Sequence, residues 1–276
     1  MNIIKSGSIV LSALLLSTGT LMAQKEVKYE KIFYKDIRTE HQDLSIVVDN
    51  AVSNDGESKF KLKIVNNTAD YVLFKVSECK FIINGKEAQV KEKSLLISPN
   101  ESGSRVVNVK GEGYNKVKNY EFIVDGLYKV PADAPGIATP DFMLPASRND
   151  FKSGPFTCKL EKVKKESAVT NARFDCTYNG SKLGFIFPSK VAVKMPDGRE
   201  YANEKSKASE IVLTRGESDY YTLTWSRMEG GSKMDMQKVD MLIKWNDAFV
   251  EMTPEKLPSK KLDVEFDEAL TNEKGK

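Results

Sequence analysis

Residues 178–187 read YNGSKLGFIF, and residues 65–74 read VNNTADYVLF. Each stretch opens on an aliphatic or aromatic residue, carries Asn second and a small hydroxyl residue fourth, and ends on an apolar residue followed by Phe. The echo continues outward. Gly85 follows Phe74 in the run NGKE, and Gly198 follows Phe187 at the same distance in DGRE. Asn-Gly and Asp-Gly between apolar runs are strong hairpin signals. Further on, ISPNESGSRVVNV (97–109) matches VLTRGESDYYTLT (212–224), with Glu101-Ser102 over Glu217-Ser218. Each half then closes on an apolar run, YEFIVDGLYKV (120–130) and VDMLIKWNDAF (239–249). Duplication of one unit is the economical reading.

Each unit reads as all-β. FKLKIV, CKFII, RVVNV and YEFIV alternate or run apolar, and turn-forming runs such as NDGES, NNTAD and KGEGYN separate them. Short strands at this spacing predict an antiparallel sandwich or barrel. In the second unit Phe156, Cys158 and Leu160 alternate, and so do Phe174, Cys176 and Tyr178. Antiparallel pairing sets Cys158 opposite Cys176, within reach of a disulfide; the alternative is two separate buried thiols. The same reading of the first unit sets Leu44, Ile46 and Val48 opposite Ile64, Leu62 and Phe60, so that Ile46 and Leu62 stand for the two cysteines. Cys79, in ECKFII, is then a buried odd thiol.

The expected organisation is a signal peptide (1–23), an N-terminal segment (24–40), a first unit (41–130), a Pro-rich linker (131–150), a second unit (151–253) and a charged tail (254–276). MNIIKSGS is basic, the following apolar run is shorter than the roughly 20 residues that span a bilayer, and a small residue, Ala23, precedes the expected cut. This predicts export, secreted or periplasmic, a mature chain beginning at Gln24 and no transmembrane anchor after cleavage. The linker holds four of the ten prolines, which makes it semi-rigid, and its DFML is expected to dock on one unit. LDVEF (262–266) alternates and predicts an edge strand within the tail. Each unit is long enough to be expected to fold alone.

The order of these features (a strand, an Asn-containing turn, an apolar strand, an Asn/Asp-Gly hairpin, a Glu-Ser run before a strand, a closing strand) resembles the small immunoglobulin-like domains of exported bacterial proteins, over residues 44–130 and 156–250. The resemblance implies two tandem immunoglobulin-like antiparallel β-sandwiches and implies no activity.

Little chemistry emerges. His41 is the only histidine, so any Ser-His-Asp or Cys-His arrangement must use it; in RTEHQD it reads as a solvated side chain. Three scattered Cys and one His do not make a zinc site. The methionines of MEGGSKMDMQ (228–237) could suit copper, but a glycine hairpin loop reads better. Asn66 and Asn179 lie in formal glycosylation sequons that the shared turn already explains. Trp225 and Trp245 fall on apolar strand faces and read as core, Tyr220 as exposed. The formal charge is +3 with both signs interspersed, unlike a nucleic-acid binder. The expectation is a non-enzymatic binding or scaffold protein without catalytic residues, cofactor or metal, meeting a protein or cell-surface polymer. The alternative is a structural subunit of an extracellular or envelope assembly joined by edge-strand pairing.

Overall fold

The computed structural model describes residues 28–204, 209–227 and 235–276. The expected signal peptide, the start at Gln24, and Met228 and Met234 of the methionine-rich run lie outside the described residues. The strands are β1 (Lys31–Phe33), β2 (Ile37–His41), β3 (Leu44–Asn54), β4 (Glu57–Asn66), β5 (Tyr71–Phe74), β6 (Lys80–Ile83), β7 (Lys86–Gln89), β8 (Leu95–Ile97), β9 (Ser102–Lys110), β10 (Asn119–Val124) and β11 (Leu127–Val130) in the first half. They continue as β12 (Phe142–Leu144), β13 (Asp150–Ser153), β14 (Phe156–Lys165), β15 (Val169–Tyr178), β16 (Leu183–Ile186), β17 (Ala192–Lys194), β18 (Glu200–Ala202), β19 (Ile211–Leu213), β20 (Ser218–Ser226), β21 (Met241–Lys244) and β22 (Phe249–Met252). The tail carries β23 (Glu255–Lys256), β24 (Lys260–Glu265) and a short helix, α1 (Glu268–Lys274).

The protein is all-β, with six antiparallel sheets among the described residues. Pairing order repeats between halves. β2-β3-β4-β9 in the first corresponds to β13-β14-β15-β20 in the second, β10-β6-β7 to β21-β17-β18, and β11-β5-β8 to β22-β16-β19. One buried cluster in each half draws alternate residues from its sheets: Ile46, Phe60, Phe81 and Phe122 in the first, Phe156, Phe174, Val193 and Trp225 in the second.

The stretches that echo each other are the strands where the halves meet. All four residues of β5 are buried, and so are all four of β16. Val72 and Phe74 face the first core and Ile186 the second, while Tyr71 and Leu73 meet Leu183 and Phe185 in a third apolar cluster. Strands covered on both faces lose the polar alternation of a half-exposed strand, which is why YVLF and LGFIF read as continuous apolar runs. Tyr71 lies 5.7 Å from Phe185 between ring centroids, and its hydroxyl donates to Glu210 Oε1 at 3.2 Å.

The backbone corrects two details of the sequence reading. Ile46 pairs with Ile64, and Val48 with Leu62, not Ile46 with Leu62. A slip of two leaves every side chain on its own face, so apolar alternation cannot detect it; a bulge between Asp49 and Val52 further disturbs the count. The second half pairs as expected, Phe156 with Tyr178, Cys158 with Cys176, Leu160 with Phe174. The echo is also one residue out of phase. The Asn66 amide donates to the Glu101 carbonyl and the Tyr178 amide to the Glu217 carbonyl, so Asn66 corresponds to Tyr178 rather than to Asn179. Both side chains hold the residue four positions on: Asn66 Nδ2 donates to the Asp70 carbonyl at 2.7 Å, and the Lys182 amide donates to the Tyr178 hydroxyl at 3.1 Å. The larger ring needs room, and Gly184 provides it, because a Cβ there would sit 2.5 Å from the Tyr178 ring.

Each half also uses a strand that lies outside its repeated unit, one from the linker and one from the tail. From the end of β11 the chain runs into the second half, where Gly136 bridges Val250 and β12 pairs with β21. From the end of β22 it runs back, where β23 pairs with β11 and β24 with β10. The correspondence extends to single bonds: the Ile137 amide donates to the Phe249 carbonyl, and the Leu257 amide to the Leu127 carbonyl. Phe142 and Leu144 are buried in the second core, Leu262 and Val264 in the first. DFML and LDVEF, which the sequence marked as a docking run and an edge strand, are therefore the same structural element used twice.

Candidate functional site

The best-defined polar cluster lies where the tail enters the first half. Lys256 of β23 places its Nζ 3.1 Å from Glu78 Oε2 and 3.0 Å from Asp125 Oδ1. Glu78 also accepts the Tyr128 hydroxyl at 2.9 Å, and Lys75 Nζ lies 4.6 Å above the Tyr128 ring. Burial pushes the Asp125 carboxyl up, but the Lys256 ammonium and the Gly126 amide outweigh it and hold it below the usual carboxylate value. Lys256 is in turn raised by its bonds to Asp125 and Glu78. Asp125 and Lys256 are thus held in their charged forms, the opposite of a general acid or base poised near neutrality. The cluster is a clasp. A depressed carboxylate stabilises the fold above its unfolded pKa of about 3.9 and loses that contribution as pH falls through its folded value. Acid titration of thermal stability should therefore show a drop below about pH 4 that is smaller in Asp125→Asn. Equal drops in both proteins would remove Asp125 from the clasp.

Cys158 and Cys176 form a disulfide across β14 and β15. Cys79 is a free, buried thiol. Burial pushes its pKa up to about 12, so it is not a thiolate nucleophile at neutral pH. The bridge closes a loop with a sequence separation of 18, for which loop-closure entropy gives about 3 kcal/mol. Reduction should lower the melting temperature reported by Trp225 and Trp245, both buried in the same core as the bridge. The corrected register names the apolar replacement: Cys158→Ile with Cys176→Ile copies Ile46 opposite Ile64 and should recover part of the loss. An unchanged melt after complete reduction would contradict this.

The other residues singled out by sequence lie apart. His41 donates from Nε2 to the Pro258 carbonyl at 2.6 Å, another contact with the tail. Asn66 is buried and its amide is engaged by the turn, with the Thr68 hydroxyl donating to Oδ1 at 2.7 Å; Asn179 is exposed. Met236 is buried. Tyr220 is 57% exposed, and the Arg173 guanidinium lies 3.7 Å from its ring centroid. Sequence reading did not find Arg173. Its signal was the register, since Arg173 faces Thr222 and is therefore diagonal to Tyr220 across adjacent strands. Glu161, Lys162, Asp175 and Asp219 surround the pair in a shallow depression. Among the described residues no group of three His, Cys, Asp or Glu is placed to hold a metal, and no helix is long and apolar enough to cross a membrane.

The chain is a largely β-sheet protein of several antiparallel sheets, and no family is identified for it. No protein-family model matches it, and no curated protein does. Among solved structures it is similar to the crystal structure of AerE from Microcystis aeruginosa, at 9% identity over 79% of this chain and 98% of that one, with a TM-score of 0.12. A likeness at that score carries no argument.

Proposed function

We propose that the protein is an exported, non-enzymatic binding or scaffold module built from two immunoglobulin-like β-sandwiches, whose partner is a protein or a cell-surface polymer. The recurrence of one pairing order in both halves supports the two-unit architecture. The observation that carries the binding reading is Tyr220. An exposed aromatic ring held flat by Arg173, on a sheet face ringed by charges of both signs, presents the amphipathic surface that partners use. Because the ring is already stacked, little side-chain freedom remains to be lost on binding.

The test is retention of envelope and secreted fractions, and of insoluble cell-wall polymer, on immobilised protein. A partner held by the native protein and lost at least tenfold with Tyr220→Ala or Arg173→Ala supports the reading. Equal retention by all three proteins refutes this face as the site. N-terminal mass analysis of the exported protein should find Gln24 first; an intact Met1 would end the export reading.

A further inference from the structure

The tail of this chain occupies a slot that the fold fills in two different ways, and this makes it exchangeable. In the second half the strand beside β21 is β12, which arrives from the first half; in the first half the strand beside β10 is β24, which arrives from the second. The slot in the first half is thus filled by a strand that its own half does not provide, and the matching slot in the second half by the last stretch of the linker. The pairings of β23 and β24 are with β11 and β10 of the first half. Gly275 accepts from the amides of Glu30 and Lys31 in that half as well. Only Thr253 and Pro254 separate β22 from β23, and Thr253 is exposed. A hinge that short leaves the tail little freedom in how it returns, and short hinges favour exchange between copies.

We propose that the slot beside β10 and β11 takes the tail strand and helix of a second copy of this chain, giving a reciprocal strand-exchanged dimer. This rests on the tail geometry and is independent of the binding face around Tyr220. The contacts of the exchanged and the closed forms are the same, so the balance is set by concentration. A strand on a short tether competes at an effective concentration of the order of millimolar, and closed monomers prevail in dilute solution. Shortening the hinge removes that advantage and leaves reciprocal exchange as the way to fill both slots.

Two full-length variants test this. Deleting Thr253 and Pro254 should convert the protein to a dimer by light scattering, with the β-sheet spectrum kept. A folded monomer would overturn the proposal. The second test stands if the deletion variant does not fold. Glu121 and Asp263 face each other across β10 and β24, and Cys79 is buried. Glu121→Cys and Asp263→Cys chains are mixed at high concentration, passed through mild denaturant and back, and oxidised. A peptide linking position 121 of one chain to 263 of another is the expected product, while the double variant closes within itself. Internal closure in the double variant with no such peptide from the mixture would sink the idea.

Discussion

A chain that stops at Met252 loses the cooperative unfolding of its first half. The missing piece contains β24, whose six residues pair with β10 over its whole length, Leu262 opposite Phe122 and Val264 opposite Tyr120. Leu262 is 3% exposed and Val264 is fully buried, inside the cluster that holds Ile46, Phe60 and Phe81. Truncating a single buried Leu to Ala costs about 2–5 kcal/mol, against a total stability of about 5–15 kcal/mol for a whole domain. Removing two such side chains costs about 4–10 kcal/mol on the same scale, comparable with the whole stability of a domain, and the backbone partners of β10 go with them. Both tryptophans lie in the other core, so the two halves report separately. Circular dichroism should show loss of sheet signal and of its cooperative melt, while tryptophan emission stays that of buried rings. In the full chain Leu262→Ala alone should destabilise by about 2–5 kcal/mol. A truncated chain with an unchanged cooperative melt would show that β24 is a decoration and not part of the core.

The halves cut at their sequence boundaries should not fold alone, whereas fragments divided between β12 and β13 should find each other. A fragment spanning 41–131 lacks Leu262 and Val264, and one spanning 148–254 lacks Phe142 and Leu144, all four of them buried. Neither should give a cooperative melt. Fragments 28–147 and 148–276 keep those strands, but each holds the strand that the other needs. Mixed after refolding they should form a 1:1 complex with the sheet spectrum of the whole protein, held by both exchanged strands and by the seam of Tyr71, Leu73, Phe185 and Val250. Independent cooperative melts of 41–131 and 148–254 would show that the exchanged strands are dispensable. Failure of the longer fragments to associate would show that the tether, rather than the strands, joins the halves.

The all-β class, the disulfide, the docking run of the linker and the strand of the tail were legible because alternation and turn chemistry are local. What escaped was relational. Nothing in LDVEF says whose edge it joins, since an alternating strand fits any half-covered sheet. Nothing in Ile46, Leu62 and Ile64 distinguishes a register from its neighbour two residues away, because the pleat has that same period. The repeat misled by one residue for a physical reason as well. Asn66 and Tyr178 have unlike side chains but the same task, and Gly184 compensates for the larger one. The aligned Asn residues look like equivalents and are not. Of the polar clusters, the Tyr220–Arg173 pair needed a register to appear, and the Lys256 clasp joins Glu78 to a residue far along the chain.

The bond between the start of the described fold and its last turn has a mechanical side. Glu30 and Lys31 donate their amides to the Gly275 carbonyl, and the Phe33 amide donates to the Thr271 hydroxyl at 2.9 Å. A pull applied between Glu30 and Gly275 is therefore borne first by this small latch. Behind it, tension on the helix reaches Glu265, the end of β24 that pairs with Asn119 of β10. The disulfide, deep in the opposite half, carries no tension until the latch has gone. Stretched end to end, the molecule yields in stages, weakest at the closure and strongest at the covalent bridge.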